Sequence, residues 1–118
     1  MTTEVSPVVT IEHGPLSIRS SRQEHEHVLA LHGELDLGGV EAVQEEMRRV
    51  EQTDVSRIIV DLSGLEFMDS SGLRTILWID ARSRTDGGRV AFVRGGPAVQ
   101  RVFQLTDTEE RLPFLEAG

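Results

Sequence analysis

The residues best suited to chemistry fall in one short block, Asp69-Ser70-Ser71-Gly72, where an acid, two hydroxyls and a glycine follow one another. Hydroxyls beside a carboxylate admit three uses: nucleophile, helix cap, or acceptor of a phosphoryl group. Nucleophilic catalysis needs a base and a sharp turn around the serine, and the Gly-x-Ser-x-Gly elbow of hydrolases is absent. The capping use follows from the flanks. The apolar run Ile58-Ile59-Val60 leads toward the block as a buried strand, and an amphipathic run from Leu73 to Ala81 leads away as a helix. Ser70 is therefore expected to be the N-cap, its hydroxyl accepting from backbone N–H groups of the first turn. Gly72 keeps that turn open to the close approach of a partner's backbone. A junction that needs only a cap is served by one Ser or Asp, so three candidates in a row mark a functional site.

Two other groupings are weaker. Glu34 and Asp36 lie two residues apart before a helical run. They suit an acidic helix start that complements the dipole, and acid–base catalysis would need a pocket that nothing nearby supplies. His25, His27 and His32 raise metal binding, with Glu24 and Glu26 as added oxygens. The strong zinc spacings use helical His pairs or cysteines, so the three read as solvated turn histidines and no metal is assigned.

Composition narrows the field. With 118 residues there is room for one domain and one core, and a hydrophobic content of 38% makes that core compact and aliphatic. The formal net charge of −8 argues against nonspecific binding to nucleic acid or an anionic membrane. No apolar run approaches membrane-spanning length and the N-terminus lacks a leader pattern, so a soluble, cytoplasmic protein is expected. Zero Cys removes disulfides, thiol nucleophiles and thiolate metal sites. All twelve basic residues are Arg, which removes Schiff-base chemistry and the lysine of a phosphate-binding loop. A phospho-acceptor of the two-component receiver type, with Asp61 or Asp69 near a strand end, would also need a lysine late in the chain.

The scaffold that must hold the block is legible in the periodicity. Residues 1–15 read as a polar lead-in, with Val8, Val9 and Ile11 forming either an edge strand or part of a flexible terminus. Leu16 to Ser21 and Val28 to His32 read as strands joined by a charged turn from Arg22 to His27. Gly33 to Leu37 breaks the second strand. Val40, Val43, Met47 and Val50 recur at helical spacing over Gly39 to Glu51, with Glu41, Glu45, Glu46, Arg48 and Arg49 opposite and Glu45–Arg49 as an i,i+4 pair. Ile58 to Leu62 is a central strand and Ser63 to Glu66 a turn. Leu73, Ile76, Leu77 and Ala81 make the core stripe of the next helix, and Trp78 and Ile79 lie off it. Asp86-Gly87-Gly88 ends that helix, Val90 to Val93 is another strand, and Pro97 opens a last helix with Ala98, Val99, Val102 and Phe103 on its apolar face. Leu112 to Leu115 closes the chain against the core. Ile59, Leu73, Leu77, Val93 and Val102 are expected to be buried around one sheet. Strands alternating with helices predict an α/β layer whose first pair is antiparallel and whose later βαβ units are parallel.

Three blocks carry a resemblance: Gly33-Glu34-Leu35-Asp36; Val60-Asp61-Leu62-Ser63 with Phe67-Met68-Asp69-Ser70-Ser71-Gly72-Leu73; and Pro97-Ala98-Val99-Gln100-Arg101-Val102-Phe103. From about Leu16 to the C-terminus the chain resembles a STAS domain of the anti-sigma factor antagonist type. The resemblance implies a mixed sheet flanked by helices over residues 16–118, no catalysis by the domain and no cofactor. It implies that Ser70, the serine directly after the aspartate, accepts a phosphoryl group, with Ser71 as the lesser candidate. It also puts Asp36 at a partner surface, which Asp69, Ser70, Ser71, Gly72 and Arg74 would share. The implied partners are an anti-sigma factor with serine kinase activity and a phosphoserine phosphatase, with no direct role for nucleic acid or membrane. Alternatives within the same family are a STAS subunit of a stress-sensing or transport complex and a small-nucleotide-binding STAS domain.

Overall fold

A computed structural model describes residues 8–116. Five strands lie in one sheet in chain order: β1 (Val9–His13), β2 (Leu16–Gln23), β3 (Glu26–Leu35), β4 (Arg57–Met68) and β5 (Val90–Val93). β1–β2 and β2–β3 pair antiparallel, and β3–β4 and β4–β5 pair parallel. The parallel pairs are joined by α1 (Val40–Glu51) and α2 (Ser70–Arg84), and α3 (Pro97–Leu105) follows β5. Both crossovers step the same way across the sheet, which with the usual right-handedness lays α1 and α2 on one face, where they touch. α3 packs on β4. This is the mixed α/β architecture expected, with β1 added as an edge strand inside the lead-in. Residues 1–7 lie outside the described residues.

Strands β3 and β4 run longer than the periodicity suggested, because bulges carry the chain through its irregular stretches. Ala30 pairs with Asp61 but His32 with Gly64, and Gly33 pairs with Leu65 but Glu34 with Phe67. β4 thus spends an extra residue twice, and the expected turn Ser63 to Glu66 is bulged strand. The expected break at Gly33 is a strand residue with φ of 90°, a backbone that glycine alone adopts without strain. The carbonyl of Pro15 presses where a Cβ would stand and accepts from the N–H of Glu34 at 3.1 Å.

The core draws on every layer. Leu29, Leu31 and Leu35, Ile58, Val60 and Leu62, Phe92, Met47, Ile76, Ile79 and Phe103 are essentially inaccessible to solvent. Burying each such side chain is worth about 1.5–3 kcal/mol. The phase of α2 corrects the expectation. Ile79 is fully buried and Ala81 exposed, because the buried face runs Gly72, Thr75, Ile76, Ile79, Asp80 and Ser83. Leu73 and Leu77 are half-buried at its margin, as are Val93 and Val102, whereas Ile59 is buried as expected. Ala98 is exposed, and Gln100 takes its place on the inner face of α3. The final segment covers the free edge of β5: Phe92 donates to Pro113 at 3.0 Å and accepts from Leu115 at 2.8 Å.

Candidate functional site

The site is built where β3 and β4 end together. Leu35 and Met68 are register partners, so the residues that follow them, Asp36 and Asp69, leave the same edge of the sheet side by side. Each then starts a turn of helix by the same device. Asp36 is extended, and its Oδ1 accepts from Gly38 at 3.0 Å to cap a 3-10 turn, Leu37–Gly39, that leads into α1. Asp69 is extended too, and its Oδ1 accepts from the N–H groups of Ser71 at 2.9 Å and Gly72 at 3.0 Å. The cap of α2 is therefore Asp69 and not Ser70. Both bonds go to one carboxylate oxygen, whose negative charge also suits the positive end of the helix.

This correction matters for chemistry. Ser70 is the first helical residue, exposed, and its hydroxyl is not needed to close the helix. Ser71 is half-buried, and its carbonyl accepts from the Thr75 hydroxyl at 2.9 Å. Gly72 is buried where the helix meets the sheet: a Cβ there would stand 2.5 Å from Cγ of Met68 and 2.7 Å from the Leu35 carbonyl. Its role is to let α2 lie against the end of β3, rather than to admit a partner. Asp69 is tied to the same point, its N–H donating to the Leu35 carbonyl at 3.3 Å. Arg74 is exposed one turn along α2 from Ser70 and pairs with no carboxylate among the described residues.

Two neighbours escaped sequence reasoning. Leu37 is 73% exposed between Asp36 and Gly38, and Phe67 is 47% exposed two residues before Asp69. Neither belongs to a periodic stripe, and that absence of a stripe was the available signal. Both flank the edge from which Asp36 and Asp69 leave the sheet.

The histidines do not converge. His25 sits in the β2–β3 turn, exposed, its carbonyl accepting from Ser56 and Arg57. His32 lays its ring against Gly64. His27 overturns the reading of solvated turn histidines: it is buried, with Nε2 at 2.6 Å from Oγ of Ser20. Burial, helped by the nearby Arg49 guanidinium, holds it below the usual imidazole range. Glu46, expected on the solvent face of α1, is buried beside it and takes Arg49 as a two-pronged partner in place of the expected Glu45–Arg49 pair. This cluster sits between β2, β3 and α1, away from Ser70.

Comparison with known proteins agrees with this geometry. A family model described as the STAS domain matches residues 18–116. An anti-sigma F factor antagonist of Lysinibacillus sphaericus is 35% identical over 80 residues, 67% of this chain and 68% of that protein. One from Paenibacillus polymyxa is 28% identical over 104 residues, covering 86% and 89%. Among solved structures, the unphosphorylated anti-sigma factor antagonist SpoIIAA matches with a TM-score of 0.70 and 27% identity over 86% of this chain and 88% of that one. The phosphorylated form of the Bacillus cell fate determinant SpoIIAA matches with a TM-score of 0.66 and 26% identity over 86% and 91%. With its parallel β3–β4 edge, its capped α2 and a family match spanning nearly all the described residues, this chain belongs to the STAS domain family, of the anti-sigma factor antagonist type.

Proposed function

We propose that the chain is a partner-switching regulator: unphosphorylated, it binds an anti-sigma factor with serine kinase activity and so frees a sigma factor; phosphorylated on Ser70, it releases that partner until a phosphoserine phosphatase restores it. One observation carries this reading. Ser70 is exposed on the first turn of a helix that Asp69 already caps. A phosphoryl group on its oxygen costs the fold no capping bond. The group adds about −1.5 to −2 charge, and the N-terminus of α2 tolerates it through its dipole and free N–H groups. That the fold matches both the unphosphorylated and the phosphorylated SpoIIAA structures supports a surface change over an unfolding one.

The contact surface in this reading is the β3–β4 edge, with Asp36, Asp69, Ser70 and Arg74 exposed or half-exposed and Leu37 and Phe67 as apolar anchors. Binding depends on a few such central contacts. A dianion placed among them has to be desolvated or matched, at a cost of several kcal/mol when unpaired. A loss of affinity of about a hundredfold or more is expected, each 1.4 kcal/mol being about tenfold. Calorimetry with the anti-sigma factor, on wild type, phosphoprotein, Ser70→Ala, Ser70→Asp and Ser71→Ala, tests it. Ser70→Ala should bind constitutively and refuse phosphate, Ser71→Ala should still accept phosphate, and Ser70→Asp should bind weakly while melting like wild type. Equal affinity for wild type and phosphoprotein would sink the proposal.

A further inference from the structure

Ser70, Arg74 and Trp78 follow one another at four-residue steps, so they form one line along the outer side of α2. Trp78 is the only Trp of the chain and is half-exposed. Two guanidiniums lie over its ring, that of Arg82 at 4.8 Å and that of Arg48, from α1, at 5.3 Å. The two arginines differ in what their N–H edges do. Arg82 spends its fork on Glu51, with three bonds of 2.7 to 3.2 Å. Arg48 is exposed and, like Arg74, has no carboxylate partner among the described residues.

In a chain of net charge −8 this is out of character, since acids outnumber bases by 20 to 12 and, among the described residues, seven of the arginines are already paired. A guanidinium over an aromatic ring is held by cation–π attraction, and its N–H groups stay able to donate to a carboxylate. The strip from Arg74 through Trp78 to Arg48 thus offers two guanidiniums with no carboxylate partner among the described residues, and it begins one turn from Ser70.

We propose that this strip docks an acidic segment of the anti-sigma factor, an inference that rests on the partner-switching reading above. It also gives phosphorylation a direction. A phosphate on Ser70 lies one helical turn from Arg74 and competes for its guanidinium. The same dianion repels the carboxylates that the strip would otherwise attract. Both effects weaken the complex, and neither touches the core.

The test uses the anti-sigma factor of the source cell, with wild type and phosphoprotein measured side by side. Arg48→Glu and Arg74→Glu are compared with Arg101→Glu, an exposed arginine of α3 that also has no carboxylate partner among the described residues and carries the same change in charge. The first two should each weaken binding about tenfold, chiefly through slower association that salt levels out, and Arg101→Glu should stay close to wild type. Arg48→Gln should shift affinity the same way by less. Chain labelled with fluorotryptophan has one fluorine resonance, from Trp78, and that resonance should move when the partner binds. Equal losses for all three reversals, wild-type affinity for Arg48→Glu and Arg74→Glu, or a stationary resonance would each overturn the strip while leaving the Ser70 switch intact. An anti-sigma factor that binds wild type and phosphoprotein alike would instead remove the switch, and the strip with it.

Discussion

At Asp69 and Ser70 two neighbouring residues divide the labour. The carboxylate holds the helix, which leaves the hydroxyl exposed for the modification proposed above. Asp69→Ala should therefore cost about 0.5–2 kcal/mol in urea unfolding, and Ser70→Ala almost nothing. Gly72 is the least replaceable residue of the block. A methyl at that position meets the Leu35 carbonyl and Met68, so Gly72→Ala should lose about 1–3 kcal/mol through overpacking; a variant as stable as wild type would show that α2 does not lie against the end of β3. Arg74 has no carboxylate partner among the described residues and can pair with a phosphate on Ser70; slower dephosphorylation of wild type than of Arg74→Ala would reveal that pairing. His27 makes stability depend on pH. Its folded-state affinity for protons is lowered by burial and Arg49, so below the imidazole's ordinary range, about 6.5, the unfolded chain binds protons more readily than the folded one. Stability should fall as pH drops through that range, and His27→Gln should flatten the dependence.

Among the elements, α2 is the one whose placement decides the site, and its phase is set by what it packs against. Ile79, deep in the core, rather than Leu77 or Ala81, completes its buried face. Ile79→Ala should cost about 2–5 kcal/mol, whereas the half-buried Leu77→Ala should cost clearly less. The reverse order in denaturant melts would contradict this orientation of the helix. The polar residues on the same buried face are each answered. Thr75 bonds to the Ser71 carbonyl, Asp80 pairs with Arg84, and the Ser83 hydroxyl accepts from Val90 on β5. α2 is thereby locked to the strand after it as well as to the one before.

For the whole molecule, one contiguous core includes residues of β2 through β5 and all three helices, so unfolding should be a single cooperative transition. Trp78 fluorescence reports on the α1–α2 surface and far-ultraviolet circular dichroism on the entire backbone, and their denaturation curves should coincide. The C-terminal segment belongs to the same unit, with Phe114 packed at 5.9 Å from Phe92 and 5.3 Å from Phe103, ring centre to ring centre. A single cooperative unit of this kind suits the proposed switch, which changes only the surface.

The order of the elements, the antiparallel start and parallel continuation of the sheet, and the Asp-Ser-Ser-Gly block at a strand-to-helix junction were all written in local periodicity and turn chemistry. These are properties of neighbouring residues, which a sequence states directly. What the tertiary structure alone decided is which of two adjacent groups does which task. Asp69 and not Ser70 caps α2, because the end of β3 fixes its backbone through the Leu35 carbonyl. Glu46 and not Glu45 pairs with Arg49, and His27 leaves solvent, because α1 closes over β2 and β3. Ser63 and Gly64 continue a strand, because β4 resumes its pairing with β3 at Gly64 and His32 past the bulge. Arg48, Trp78 and Arg82, on two helices and 34 residues apart at their extremes, become one surface only when α1 and α2 meet. In each case the deciding partner lies far along the chain, where burial and long-range hydrogen bonding override the preference of the residue itself.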